Sequence, residues 1–250
     1  MKAMIFAAGL GTRLRPLTDH CPKALVPIAG RPMLEHVITR LMKAGFNELV
    51  INIHHHGEQI ISYLNEHSFP GTDIRLSDER DLLLDTGGGI WKARHLLEGN
   101  EPFLIHNVDI LSDIDLKALY QQHLHTGAEA SLLVSKRDTS RYLLFDSGNR
   151  LHGWTNMATG ELKPADIDPT LYHPLAFGGI HIFSPSLFKR MEAGQWHGRF
   201  SIIPFYLSIC QDIVIKGIEA NENHWFDIGK PETLAQAEAW LTRQKDTCRC

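Results

Sequence analysis

Near its start the chain reads Gly9-Leu-Gly11-Thr12-Arg13-Leu-Arg15-Pro16, and Lys23 follows Pro22. Glycines let backbone N–H groups approach an anion closely and form a concave nest, and guanidinium and ammonium groups supply the charge that offsets a polyphosphate. A second cluster, Gly87-Gly88-Gly89, opens a run with helical periodicity. Amides at a helix N-terminus point outward, and the dipole favours anions there. Asp109 closes the apolar run Phe103–Val108, and Asp227 follows Trp225 and Phe226. Phosphate chemistry is therefore the expectation. Two common phosphate loops are excluded by their residues: Leu14 stands where a dinucleotide fingerprint needs its third glycine, and no Gly-Lys-Ser/Thr closes a Walker A loop.

These groups must be positioned by the surrounding elements. Residues Lys2 to Ala8 form a nearly continuous apolar run, the pattern of a strand buried on both faces in a parallel sheet. Residues 31 to 44 have apolar positions at helical spacing, with Pro32 in the first turn and Gly45 at the end. Strands are expected at 49–53, 74–77 and 103–108, with helices at 57–65 and from Asp85 to about Leu97. Alternating strands and helices predict a three-layer, Rossmann-like α/β fold, a mixed sheet with helices on both faces, whose ligands gather at the carboxyl ends of the strands. From about Glu129 the texture changes. Segments 130–135, 142–145, 150–154 and 177–183 are strand-like and joined by turn signals, which predicts a small antiparallel ribbon. The polar stretch 155–174 is long for a loop and is a candidate lid or binding loop. One domain, 1–243, is expected, with a nucleotide-binding half at 1–128, a sugar-phosphate-binding half at 129–243 and a tail at 244–250.

Composition narrows the class. With 43% apolar residues and a formal charge of −4, an ordinary globular protein is expected, and the charge gives no reason to expect a nucleic-acid partner. No apolar run approaches the length of a membrane span, and no signal-like segment precedes the first strand. The four cysteines, Cys21, Cys210, Cys248 and Cys250, make no disulfide framework, so a reducing cytoplasm is expected. His54-His55-His56 is poorly spaced for a metal and reads as a polar loop lining the site. Asp78-Glu79-Arg80-Asp81 reads as a solvated charged loop.

The stretch from Gly9 to Pro32, with Lys23, Pro27 and Gly30, resembles the signature of the nucleoside-diphosphate-sugar pyrophosphorylases, the sugar-1-phosphate nucleotidyltransferases. Asp85-Thr86-Gly87-Gly88-Gly89-Ile90, Asn107-Val108-Asp109 and Trp225-Phe226-Asp227-Ile228-Gly229 extend the likeness toward the branches that transfer uridylyl to N-acetylmuramate 1-phosphate or guanylyl to mannose or heptose 1-phosphate. The resemblance implies the nucleotide-diphospho-sugar transferase fold. The implied activity is transfer of a nucleotidyl group from a nucleoside triphosphate, UTP ahead of GTP, to a sugar 1-phosphate, with Mg²⁺ as cofactor. It also implies roles: Asp109 and Asp227 hold the metal, Lys23 meets the α-phosphate and the sugar phosphate, and Arg13 meets the β- and γ-phosphates. Ala8, Gly9, Gly11 and Thr12 contact the nucleotide through the backbone, Gly87 and Gly88 lie against base and ribose, and Asn107 touches the nucleotide. Arg13, Lys23 and Asp109 carry the catalysis. Partners are the two substrates, with neither nucleic acid nor membrane, in a monomer or homodimer.

The sugar half departs from the pattern. Relatives carry Glu-Lys-Pro after the ribbon strand, whereas Trp154 is followed here by Thr155-Asn156-Met157. Asn156, and Gly179 in Phe177-Gly178-Gly179-Ile180, are the sugar-side candidates. Two alternatives stay open on these residues: a non-catalytic regulatory protein that binds nucleotide or sugar, and a cytidylyltransferase acting on a non-sugar phosphate such as phosphocholine.

Overall fold

The computed structural model describes residues 1–220 and 224–247, with side chains described through Arg243; Cys248 and Cys250 lie outside them. The chain begins with β1 (Lys2–Phe6), whose central residues Ala3, Met4 and Ile5 are fully buried. Two short strands, β2 (Pro27–Ile28) and β3 (Arg31–Pro32), form a small hairpin before α1 (Met33–Lys43). The apolar stripe of α1, Leu34, Val37, Ile38 and Leu41, is buried. Next come β4 (Glu48–Ile53), α2 (Gly57–Glu66) and β5 (Asp73–Asp78), and β4 pairs in parallel with β1 on one side and β5 on the other.

Helix α3 (Asp85–Ala93) leads to β6 (Phe103–Asn107) and the short β7 (Ile110–Ser112). Then α4 (Leu116–Thr126) appears, an element absent from the sequence reading. Its signals are ordinary ones: the Asp115 side chain accepts from Ala118 N at 2.9 Å, and Gly127 ends it with φ of 63°. Seven more strands and three helices follow among the described residues, beginning with β8 (Ala130–Ser135), β9 (Arg141–Phe145), β10 (Leu151–Asn156) and β11 (Glu161–Lys163). The 11-residue β12 (His173–Phe183), α5 (Ser186–Ala193), α6 (Ile202–Ile209), β13 (Ile215–Glu219), β14 (Trp225–Asp227) and α7 (Pro231–Thr247) complete the chain.

Two compact units form, and they are interleaved in the chain. The first holds residues up to 83, His106–Asp113 and the chain from His224 on; the second holds Leu84–Ile105 and the described residues from Ile114 to 220. The first unit contains the parallel strands β1, β4 and β5 and the antiparallel pair β7–β14. In the second, β12 pairs with β9 through His173–Leu175 and with β8 through Ala176–Phe183, and β13 lies parallel to β8. The ribbon is thus β9–β10–β11, antiparallel throughout. Ala130–Ser135, expected in that ribbon, instead packs as β8 between β12 and β13, because its five buried apolar and small residues need cover on both faces. The polar stretch 155–174, expected as a long loop, contains β11. The class is the expected α/β, with a mixed sheet and flanking helices. No helix among the described residues is long and apolar enough to cross a membrane.

Candidate active site

The glycine loop leaves β1 at a pinned point. Asn52 on β4 is buried, and its side-chain oxygen accepts from Ala7 N at 2.7 Å and Ala8 N at 3.3 Å. Its amide nitrogen donates to Glu79 Oε1 at 2.8 Å, and Glu79 is itself fully buried. Beyond Ala8, the amides of Gly9, Gly11 and Thr12 have no acceptor among the described residues. Gly11 has φ of +65°, and a Cβ there would lie 2.8 Å from Thr18 Cγ2, so only glycine serves. Thr18 closes the loop by donating its hydroxyl to Gly11 O at 2.8 Å. The result is a fixed turn whose donors have no acceptor among the described residues, the condition for an anion nest.

The charged residues expected from the sequence come together beside this loop. Lys23, only 9% exposed, is bonded to Asp109 Oδ2. Arg13 lies between the two aspartates, Nη2 at 4.0 Å from Asp109 Oδ2 and Nη1 at 3.5 Å from Asp227 Oδ2. The backbone explains the meeting of residues 118 positions apart. Strand β14 pairs with β7 so that Asp227 opposes Ile110, and Ile228 N donates to Asp109 O at 2.9 Å. Gly229 N donates to Asp227 Oδ1 at 2.9 Å and holds the carboxylate in place. A Cβ on Gly229 would sit 2.5 Å from Arg13 Nη2, 2.8 Å from Asp227 Oδ1 and 3.0 Å from Lys23 Nζ.

Asp109 and Asp227 are hard oxygen donors that converge on one cation, at present the Arg13 guanidinium. That donor set fits Mg²⁺, which takes one or two carboxylates and fills its remaining positions with water and phosphate oxygens. Among the described residues no third carboxylate, histidine or cysteine joins them in a metal-holding group. Asn107, two residues before Asp109, is part-exposed, and its side chain has no hydrogen-bond partner among the described residues. Behind it His106 is fully buried, and burial together with the nearby Arg40 lowers its pKa to about 3, so the ring is neutral. Of the three consecutive histidines, His54 ties to the scaffold, its Nδ1 bonding Glu79 O at 2.6 Å, while His55 is exposed and its ring lies 3.9 Å from that of His56.

In the second unit the other candidates have different surroundings. The amides of Gly87 and Gly88 both donate to Phe200 O, at 2.9 and 3.1 Å, and Thr86 N donates to Asp85 Oδ1 at 2.6 Å. The N-terminus of α3, expected to offer its amides to an anion, is therefore already satisfied by the protein. The glycines are needed for packing: a Cβ on Gly87 would lie 2.2 Å from the Phe200 ring, and one on Gly88 would lie 2.1 Å from Gly198 O. A nucleoside contact there cannot use these N–H groups. Asn156 and Lys163 line a cleft of about 530 Å³ together with Arg137, Arg141, Trp154 and Phe177. Gly179 is buried with φ of +73°, in the stretch between Phe177 and His181 where the pairing of β12 with β8 shifts register.

A family model described as Nucleotidyl transferase matches residues 2–244. The chain belongs to this family. Among curated nucleotidyl transferases it is 34% identical to the N-acetylmuramate alpha-1-phosphate uridylyltransferase of Neisseria meningitidis serogroup B, over 96% of this chain and 97% of that protein. It is 32% identical to the enzyme of the same name from Caulobacter vibrioides, over 96% of each chain. It is 29% identical to the mannose-1-phosphate guanylyltransferase catalytic subunit beta of Xenopus tropicalis, over 93% of this chain but 62% of that longer protein. A solved UDP-glucose pyrophosphorylase complexed with UDP-glucose shares the fold at a TM-score of 0.76 and 17% identity, covering 97% of this chain and 98% of that one.

Within this nucleotidyl transferase, sequence reasoning missed Asn52 and Glu79. Glu79 was expected in solvent, and its burial overturns that reading. Its neighbours Asp78 and Arg80 do remain at the surface, bonded to each other. The one available signal was Asn52 in an otherwise apolar strand, since a polar residue there needs buried partners.

Proposed function

We propose that the protein transfers a nucleotidyl group from a nucleoside triphosphate to a sugar 1-phosphate, releasing pyrophosphate. The reading is carried by one observation: Arg13, Lys23, Asp109 and Asp227 converge beside a loop whose Gly9, Gly11 and Thr12 amides have no acceptor among the described residues. An acceptor phosphate oxygen would form the new bond to the α-phosphorus. The bond from that phosphorus to the bridging oxygen breaks, and its electron pair leaves with pyrophosphate. No general base is required, because the second pKa of a phosphate monoester is about 6 and the nucleophile is already an anion. Catalysis then rests on positioning and charge neutralisation.

In this reading the loop amides cradle the triphosphate. Arg13 offsets charge on the β- and γ-phosphates, Lys23 orients the α-phosphate and the incoming acceptor, and Asn107 contacts the nucleotide. Mg²⁺, held by Asp109 and Asp227, would supply Lewis-acid charge stabilisation to the phosphate oxygens. When phosphates occupy the site, Lys23 and Arg13 exchange carboxylate partners for phosphate ones, so the present ion pairs keep both cations and both carboxylates oriented beforehand. UTP is the favoured donor, with GTP next, because the two full-length relatives are named as uridylyltransferases. Their acceptor, N-acetylmuramate α-1-phosphate, leads the list to be assayed. The free thiols Cys21 and Cys210 fit a cytoplasmic location.

The test is pyrophosphate release from the four nucleoside triphosphates against a panel of sugar 1-phosphates. Turnover should vanish with a chelator and return with Mg²⁺. Asp109→Asn and Lys23→Ala should each lower it by about two orders of magnitude or more, the scale of losing a preorganised charge contact. Near-normal rates in both variants would remove the mechanism. Tight nucleotide binding with no product from any pair would replace it with a binding function.

A further inference from the structure

In the first unit a buried polar relay crosses three neighbouring strands and ends at the phosphate loop. Glu79 directly follows β5, Asn52 lies on β4, and Ala7 and Ala8 follow β1; all four are buried. The strands stand side by side, with Asn52 opposite Phe6 in the β1–β4 register and Ile53 opposite Asp78 in the β4–β5 register. Glu79 prolongs that ladder: its N–H donates to Ile53 O at 2.8 Å, and its carbonyl accepts from His54 Nδ1 at 2.6 Å. On either side the chain turns to solvent, where Asp78 and Arg80 are bonded to each other and Arg80 also pairs with Glu58 on α2. Between them the Glu79 side chain runs inward to Asn52.

The polarity of this relay is set at its two ends. A backbone N–H can only donate and an ionised carboxylate can only accept, whereas a primary amide presents either face once it turns over. The Asn52 amide nitrogen donates to Glu79 Oε1 at 2.8 Å. That bond leaves Oδ1 toward the loop, where it accepts from Ala7 N at 2.7 Å and Ala8 N at 3.3 Å. With the amide reversed, its NH₂ group would face two N–H donors, and both would lose their acceptor in a buried place. These two amides immediately precede Gly9, where the nest begins.

We propose that Glu79 is a positioning residue for the triphosphate: by holding the Asn52 amide in one orientation, it sets where the Gly9, Gly11 and Thr12 amides are presented. Being buried, it acts through Asn52 and touches neither substrate. The assignment rests on the reading of this loop as the triphosphate cradle. What the relay asks of residue 79 is an acceptor and not a charge, and that distinction can be measured.

Three variants make the measurement. Glu79→Met keeps the side-chain length and removes the acceptor, and Glu79→Gln keeps an acceptor without the charge. Asn52→Asp combined with Glu79→Gln reverses donor and acceptor while leaving an oxygen for the loop amides. In steady-state kinetics with each substrate varied in turn, Glu79→Met should raise the triphosphate KM by roughly tenfold or more, the scale of a lost hydrogen bond to a charged group, with the acceptor KM within about twofold. Glu79→Gln and the reversed pair should both stay within about threefold of wild type on the same scale. An unchanged triphosphate KM in Glu79→Met, a rise of both KM values in step, or a Glu79→Gln as impaired as Glu79→Met overturns the assignment and leaves the nucleotidyl transfer standing. Should Glu79→Met fail to fold, the reversed pair decides: a near-normal triphosphate KM supports the relay, and one raised by about tenfold overturns it. Should the wild type turn over no substrate pair, hydrogen exchange at the Ala7 and Ala8 amides decides without a ligand. Slow exchange in wild type and Glu79→Gln with faster exchange in Glu79→Met supports the relay, and equal exchange in all three overturns it.

Discussion

Gly229→Ala separates the geometry of the charged cluster from the stability of the fold. Gly229 does not adopt a left-handed φ, so alanine meets no backbone objection. Its Cβ would arrive 2.5 Å from Arg13 Nη2, whereas ordinary contact begins at 3.4 Å, so the guanidinium must retreat by about 0.9 Å. On the same count Asp227 Oδ1, at 2.8 Å, must give by about 0.6 Å and Lys23 Nζ, at 3.0 Å, by about 0.4 Å. Arg13 and Lys23 end long flexible side chains, the Arg13 side chain is 51% exposed, and the Asp227 side chain is 35% exposed, so the displacements cost the fold little. The lost chain freedom of the unfolded state, worth about 0.4 to 1 kcal/mol, works in the variant's favour. Catalysis has no such slack, because a misplacement of about 1 Å in a positioned site can cost about a hundredfold. Pyrophosphate release measured with both substrates varied should therefore fall by about two orders of magnitude in kcat/KM. The Tm should stay within a few degrees of wild type. A variant with kcat/KM within about threefold of wild type would refute the claim that the reaction depends on where Arg13, Lys23 and Asp227 are held.

Asn52→Ala should act on stability and on nucleotide binding together. It strips a partner from the buried Glu79 carboxylate and from the amides of Ala7 and Ala8, a loss of roughly 2 to 4 kcal/mol, read by urea unfolding, with a raised triphosphate KM. Unchanged unfolding midpoints would show that the loop is pinned otherwise. Acid should destabilise the protein from pH 6.5 downward. Burial depresses the pKa of His106 and His181 to about 3 and of His123 to about 4. Between those values and the unfolded value near 6.5 only the unfolded chain takes the protons, so stability present above pH 6.5 is lost as the pH falls. At pH 5 each histidine withdraws about 2 kcal/mol. A flat unfolding midpoint between pH 7.5 and 5 would show that these rings are not buried neutral.

Reaction class was legible in the residues because the phosphate loop is local. Gly11, Arg13 and Lys23 lie within fifteen positions of one another, and their turn needs no distant partner to be recognised. The alternation of apolar strands and amphipathic helices likewise reported the α/β class, since periodicity is a property of each segment alone. Helix α4 was equally local, capped by Asp115 and Gly127, and could have been read. Other features depended on contacts between segments far apart in the chain. The pairing of β7 with β14 puts Asp227 beside Asp109, and nothing in either segment alone specifies that register. Glu79 looks like a surface residue in its charged run, and only the approach of Asn52 from the neighbouring strand makes it a buried acceptor. Gly87 and Gly88 suggested an open helix N-terminus until Phe200, more than a hundred residues later, supplied the carbonyl that their amides donate to. In the cleft, Arg141 and Lys163 face a base strand without charge because antiparallel pairing aligns β9 and β11 on either side of β10. Short-range signals determined which chemistry the chain can hold; long-range pairing decided which donors remained available to perform it.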